Sequence, residues 1–313
     1  MNRHKQKLQT AGGNTFWKRA KRDRQLWIIL LPCIAFYALF RYGPMYGLIV
    51  AFKEYDIWDG LIKSDWVGFK HFIEFFHSQD FVLLFRNTLL LGLSNLVFSF
   101  PFPILFALLL NEVRIKKLKT LAQTVSYLPS FLSVVIVCSM FIDLLSPTHG
   151  LVNTILENLG FPRTYFIIKP EWFRFIYVSS GIWQSMGYSA IIYLAALSGI
   201  DKTLYEAGEI DGCGRLRAIW HITIPGILPT VITMFIISSG HIMRIGYEKV
   251  LLLYTPVTYK VADVFSTFVY RKGLENWDFS YATAVGLFES VIAIIFLFIT
   301  NNISKKFTQN SIW

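Results

Sequence analysis

Residues 281–300 read YATAVGLFESVIAIIFLFIT, a run in which Glu289 is the one charged residue. Coiled as an α-helix at about 1.5 Å per residue, such a run covers about 30 Å, the hydrocarbon thickness of a bilayer. Comparable apolar runs occupy residues 26–51, 83–110, 120–145, 173–197 and 225–243. The chain is therefore expected to be an all-α polytopic membrane protein with about six transmembrane helices. Composition agrees: 54% of the 313 residues are hydrophobic and 16% charged, with a mean hydropathy of +0.47, whereas soluble domains carry roughly a quarter charged residues. Pro101 and Pro103 lie inside the second run. Each removes a backbone donor, so a kink is expected there, of the kind that neighbouring helices tolerate in membranes.

A formal net charge of +10 raises the question of nucleic acid, whose phosphates attract clustered Lys and Arg. Here the basic residues gather at the ends of apolar runs, where they act as orientation signals and contacts for anionic lipid headgroups. Nucleic acid is set aside on that ground. Residues 1–25 contain Arg3, Lys5, Lys7, Lys18, Arg19, Lys21, Arg22 and Arg24, with no small-residue cleavage site after them, so they read as a cytoplasmic tail before an uncleaved first span. The connections on that side hold seventeen Lys and Arg against nine on the other. Both termini are thus expected in the cytoplasm, with a membrane body over 26–304 and a short tail over 305–313.

Enzyme chemistry finds no support. Cys33, Cys138 and Cys213 are far apart and form no CxxC pair, which argues against a metal centre, a redox centre or a disulfide. HExxH, GxSxG and the phosphate-cradling GxxxxGK[ST] are all missing, so no catalytic residue, metal or nucleotide is assigned to this chain.

The most informative connection is 199–229. Tyr205-Glu206-Ala207-Gly208-Glu209-Ile210-Asp211-Gly212-Cys213-Gly214 leads on to Ile222-Thr223-Ile224-Pro225. Thr203 with Glu206 three positions later forms a capping-box pattern, predicting a short helix over 203–211 that stops at Gly212 and Gly214. An acid-bearing helix between two spans, with Arg215 and Arg217 beyond it, suits a lever pressed on a cytosolic partner.

This loop resembles the EAA motif of permeases of binding-protein-dependent ABC importers: Glu-Ala-Ala, three residues, Gly, nine residues, then Ile-x-Leu-Pro. Glu206, Ala207 and Gly208 stand for the triplet, Gly212 for the glycine, and Ile222, Ile224 and Pro225 for the close, with Asp211 beside the glycine. Gly208, Cys213, Ile219 and Ile224 are conservative departures. Arg41-Tyr42-Gly43-Pro44-Met45-Tyr46-Gly47-Leu48, Trp66-Val67-Gly68-Phe69, Asn87-Thr88-Leu89, Tyr127-Leu128-Pro129 and Leu251-Leu252-Leu253-Tyr254 are similar to carbohydrate-type permeases, in particular the LplB-like polysaccharide branch.

The resemblance implies a type I importer fold in a prokaryotic plasma membrane, working by alternating access. Its implied partners are a related second permease in a heteromeric pair, a dimeric cytoplasmic ATPase that holds ATP and Mg, an extracellular solute-binding protein and an oligosaccharide. Glu206 is then expected to meet a basic side chain of the ATPase.

For the substrate path, a sugar asks for aromatic faces and polar groups in one cavity. Trp183, Gln184, Ser185 and Tyr188 supply these on the fourth span, where Gln184 and Tyr188 share a face. Gln184 as a hydrogen-bond bridge between helices is an equal alternative. Glu289, ionisable at mid-span, is a functional candidate by its cost alone, and Arg244 is placed to pair with it or to meet an acidic sugar. Asn95 and His241 are weaker candidates. An ion-coupled secondary transporter using Glu289 is the rival reading, for which the loop pattern would be coincidence.

Overall fold

The computed structural model describes residues 24–308. The basic tail expected over 1–25 therefore lies outside the described residues except for Arg24 and Gln25, which open the first helix, α1 (Arg24–Phe52). A two-stranded hairpin follows, β1 (Lys53–Glu54) against β2 (Asp65–Trp66), antiparallel with Lys53 opposite Trp66. The remaining elements are helical: α2 (Lys70–His77), α3 (Gln79–Glu112), α4 (Lys116–Phe131), α5 (Val134–Leu144), α6 (Leu151–Asn158), α7 (Pro170–Ser198), α8 (Lys202–Ile210), α9 (Arg215–Gly240), α10 (Tyr247–Leu253), α11 (Phe265–Tyr270) and α12 (Phe279–Thr308), joined by single turns.

Four of these, α1, α3, α9 and the Phe279–Ile303 part of α12, are long and apolar enough to cross a membrane. The other two expected spans differ from the plain reading. Residues 120–145 are not one continuous helix but α4 and α5, bent by 102°. Pro129 closes the 3₁₀ turn Leu128–Phe131, Leu132 is extended, and Ser133 starts α5 by accepting the Ile136 N–H on its hydroxyl. Two helix ends thus meet inside an apolar run. The expected span 173–197 is the 29-residue α7, long enough to cross, but its serines, Gln184 and Arg174 keep it below the apolarity of the others.

Pro101 and Pro103 interrupt α3 at Phe100 alone, and Phe100 keeps helical angles, so the helix runs through. The fifth span begins at Arg215, ten residues before the expected 225. Its π-turn Ile219–Thr223 widens the coil immediately ahead of Pro225, where the regular ladder lacks a donor. At the other end, α12 carries helix into the segment 305–308 that was read as tail.

The core forms three clusters. Phe75, Leu84, Met243, Phe265, Phe268 and Val285 join α2, α3, α11 and α12. Leu91, Cys138, Phe173, Ile176 and Val250 join α3, α5, α7 and α10. Ala107, Ala190, Tyr193, Leu197 and Ile227 join α3, α7 and α9. Small residues set the closest approaches, since a Cβ at Gly187 of α7 would stand 2.1 Å from the Ser126 carbonyl oxygen of α4. By contrast only Val50 and Ala51 of α1 are buried.

Candidate functional site

The 199–214 loop folds into a short capped helix. The cap of α8 is Asp201, whose carboxylate accepts the Thr203 N–H at 3.0 Å, and not Thr203 as the capping-box pattern suggested. That hydrogen bond holds the Asp201 carboxyl below its ordinary pKa. The reason for the shift of start is packing: Ile200 lies on Gly226 of α9, 2.8 Å from where a Cβ would stand, so the chain turns at the next residue. The C-terminal stop follows expectation. Gly212 has φ +73°, Gly212 N–H donates to Glu209 O at 3.1 Å and Cys213 N–H to Gly208 O at 2.8 Å, which is the Schellman pairing.

Two contacts seat α8 on the base of α9. Tyr205 Oη and Thr223 Oγ1 are 3.0 Å apart, and Gly208 faces Ile222, whose Cδ1 lies 3.1 Å from a Cβ position there. Glu206, Ala207 and Asp211 are exposed, beside bare apolar side chains at Leu204 (53% exposed), Ile210 (87%) and Trp220 (68%). Ile222 and Pro225 sit within α9 and carry the loop's position into the span. The helix thus presents acidic and apolar side chains together on its exposed face, while Tyr205 and Gly208 hold its half-buried edge against α9.

A cavity of about 310 Å³ opens between α3, α7 and the turn after α9, within the range of small-molecule sites. Asn95 and Ser99 line it from α3, Ser185 and Ser189 from α7, and Ser238, His241 and Arg244 from the end of α9. The turn owes its position to Gly92, where a Cβ would come within 2.0 Å of the Ile242 carbonyl oxygen. Ile242, Met243 and Ile245 are buried around Arg244, which is itself exposed. Among the described residues Arg244 has no ion-pair partner.

The other expected path residues lie off this cavity. Gln184 Nε2 donates to Leu132 O at 3.0 Å, satisfying a carbonyl freed at the α4–α5 break, which is the bridging role weighed for it. Trp183 packs its ring edge on Phe141, centroids 6.0 Å apart. Tyr188 is exposed and Glu289 is half-buried on α12. The structure thus brings Arg244, His241 and Asn95 together and leaves Trp183, Gln184, Tyr188 and Glu289 apart from them.

On the side away from α8, the segment 258–271 is tied to α3. Asn87 Nδ2 donates to the carbonyls of Lys260 and Asp263, and Thr88 Oγ1 accepts the Phe265 N–H at 3.2 Å. Asp263, buried, takes Arg271 at 2.6 Å and the Thr267 hydroxyl at 2.8 Å. Sequence reasoning named Ser185 but missed Gly92, Ser99 and Ser189 as cavity residues. Their signal was present as small and polar residues at helical spacing, Gly92, Asn95 and Ser99 in one span and Ser185 and Ser189 in the other.

Comparison with known proteins gives a consistent result. The family model for the binding-protein-dependent transport system inner membrane component matches residues 85–309. The chain is similar to the polygalacturonan/rhamnogalacturonan transport system permease protein YteP of Bacillus subtilis (strain 168), 42% identical over 93% of this chain and 91% of that one. It is similar to protein LplB of the same organism, 42% identical over 97% and 96%. It also superposes with a TM-score of 0.87 and 43% identity on a crystal structure of a bacterial ABC transporter involved in the import of the acidic polysaccharide alginate, covering 94% of this chain and all of that one. On this match, the chain belongs to the inner membrane components of binding-protein-dependent transport systems.

Proposed function

We propose that the chain is one of two permease subunits of an ATP-driven importer for acidic oligosaccharides. The observation that carries the substrate class is Arg244, a cation without an ion-pair partner among the described residues, on the wall of a cavity whose other polar lining groups are hydroxyls, an amide and an imidazole set among apolar side chains. A uronate offers what such a wall lacks, a carboxylate flanked by hydroxyls. Relatives that handle polygalacturonan and alginate support this reading. In the same reading α8 is the coupling helix, docked by its exposed face on a dimeric cytoplasmic ATPase that holds ATP and Mg. The side away from α8 is then external and receives a loaded solute-binding protein. Closure of the ATPase shifts α8, and the paired permeases re-expose the cavity; the second permease is a related, heteromeric one.

The test is uptake and ATP turnover of the co-expressed complex in liposomes with loaded binding protein. Glu206→Ala is expected to uncouple turnover from the loaded binding protein or to lose the ATPase subunit. Arg244→Gln is expected to lower uptake of a galacturonate oligosaccharide by roughly tenfold or more, the loss of one charge-assisted contact. Uptake that ignores both changes and follows a proton or sodium gradient through Glu289 would overturn the reading.

A further inference from the structure

Basic side chains from α3, α7, α10 and the turn after α9 gather along one stripe of α7. Arg174, Gly181 and Ser185 are spaced seven and four residues apart and share a face. At the outer end Arg174 is half-buried, its Nε is sealed from water without a hydrogen-bond partner, and the neighbouring charge that acts on it is another cation, Arg86 of α3. Arg86 donates to the Lys260 carbonyl at 3.1 Å, which brings a further basic residue to that corner. Seven residues along, Lys249 of α10 takes the place a side chain at Gly181 would fill, its Nζ 3.0 Å from that Cβ position. It donates to Tyr177 O at 2.8 Å and lies 4.7 Å from the centre of the Tyr177 ring. Tyr177 and Ser185 then line the cavity together with Arg244.

Among the described residues none of Arg86, Arg174, Lys249 and Arg244 has an acidic partner. Like charges brought together and partly desolvated are unfavourable until an anion joins them. From Arg174 to Ser185 the helix rises about 16 Å, so the cations stand at intervals along the way and not at one point. A polyanion whose carboxylates recur along its length matches such a series.

We propose that Arg86 with Arg174, then Lys249, then Arg244 form a cationic track along α7 that passes the carboxylates of an acidic oligosaccharide from the external mouth into the cavity. This rests on the acidic-oligosaccharide reading above. Its new content is the outer station and the intermediate one, which lie outside the cavity. The carboxylate bound there is the cargo's; a carboxylate of the solute-binding protein is the competing source.

The experiment uses the whole complex in liposomes with a galacturonate tetrasaccharide on its binding protein. It compares wild type with Arg86→Gln/Arg174→Gln, Lys249→Gln and the charge-keeping Arg86→Lys/Arg174→Lys. Maximal uptake is expected to fall by roughly tenfold in either glutamine variant, the loss of a charge-assisted contact. The concentration of loaded binding protein giving half-maximal rate should stay unchanged, and the lysine pair should retain most of the rate. A glutamine effect that appears as weaker docking of the binding protein assigns the patch to that interface and overturns the track. So does equal loss in the lysine pair, which would mark a structural role, or no loss at all. Wild type that rejects the tetrasaccharide while importing a neutral one refutes the substrate class, and the track with it; wild type that imports it with all variants unimpaired refutes the track alone.

Discussion

At Gly92 the position of a methyl group is already taken by the Ile242 carbonyl oxygen, 2.0 Å away. Backbone cannot yield as a side-chain tip does, so Gly92→Ala is expected to push the Arg244 turn off α3, at the cost of about 1–3 kcal/mol typical of overpacking. Uptake in liposomes should fall while co-purification of the ATPase subunit is unchanged, because α8 is remote from the contact. Gln184→Leu acts differently. It orphans Leu132 O at the α4–α5 break, a loss of about 1–2 kcal/mol, and should lower the Tm of the detergent-solubilised complex without altering cargo preference. Arg244 and Glu206 stand out in the sequence because a charge at a span end and an acid in a spaced motif each carry their own signal. Gly92 does not, since its constraint comes from a turn far along the chain. Gln184 was legible as polar within a span, but its partner is created only by the break at Leu132.

Among the elements, α8 shows how nearly equal local signals are decided by tertiary contact. Thr203 with Glu206 fits a capping box and Asp201 is as good an N-cap; Ile200 on Gly226 selects Asp201. Because the cap bond holds the Asp201 carboxyl below its ordinary pKa, its stabilisation is present above the unfolded value of about 3.9 and is lost as pH falls through the lower folded value. Coupling through α8 should therefore show no Asp201-dependent change across about pH 6 to 8. Asp201→Asn should keep the ratio of ATP consumed to sugar imported, and Asp201→Ala should raise it. The α4–α5 pair is the converse case. Pro129 and Ser133 were both visible as a stop and a start, yet the apolar run on either side outweighed them, and the 102° bend comes from α7, which presents Gly187 to Ser126 and Gln184 to Leu132.

Across the whole molecule, α1 buries only Val50 and Ala51 and leaves most of a 29-residue span exposed by its own chain. Co-expression with the second permease is expected to raise the yield of monodisperse protein well above that of this subunit alone, read by size-exclusion chromatography. Equal yields of stable, ATPase-binding protein without a partner would contradict the paired arrangement. The apolar runs and the loop motif were legible because hydropathy and spacing are properties of one segment at a time. The cavity was not, because α3, α7 and the turn after α9 supply its walls jointly. Helix α9 joins these two regions mechanically: it starts beside α8 at Arg215, runs 26 residues to Gly240, and ends in the turn that carries Arg244. As a rod about 39 Å long, it turns a tilt of about 5° at its base into a swing of about 3 Å at its tip, enough to exchange one set of hydrogen bonds for another. In the importer proposed above, a small nudge on α8 would thereby be geared up to the stroke needed to let go of a sugar.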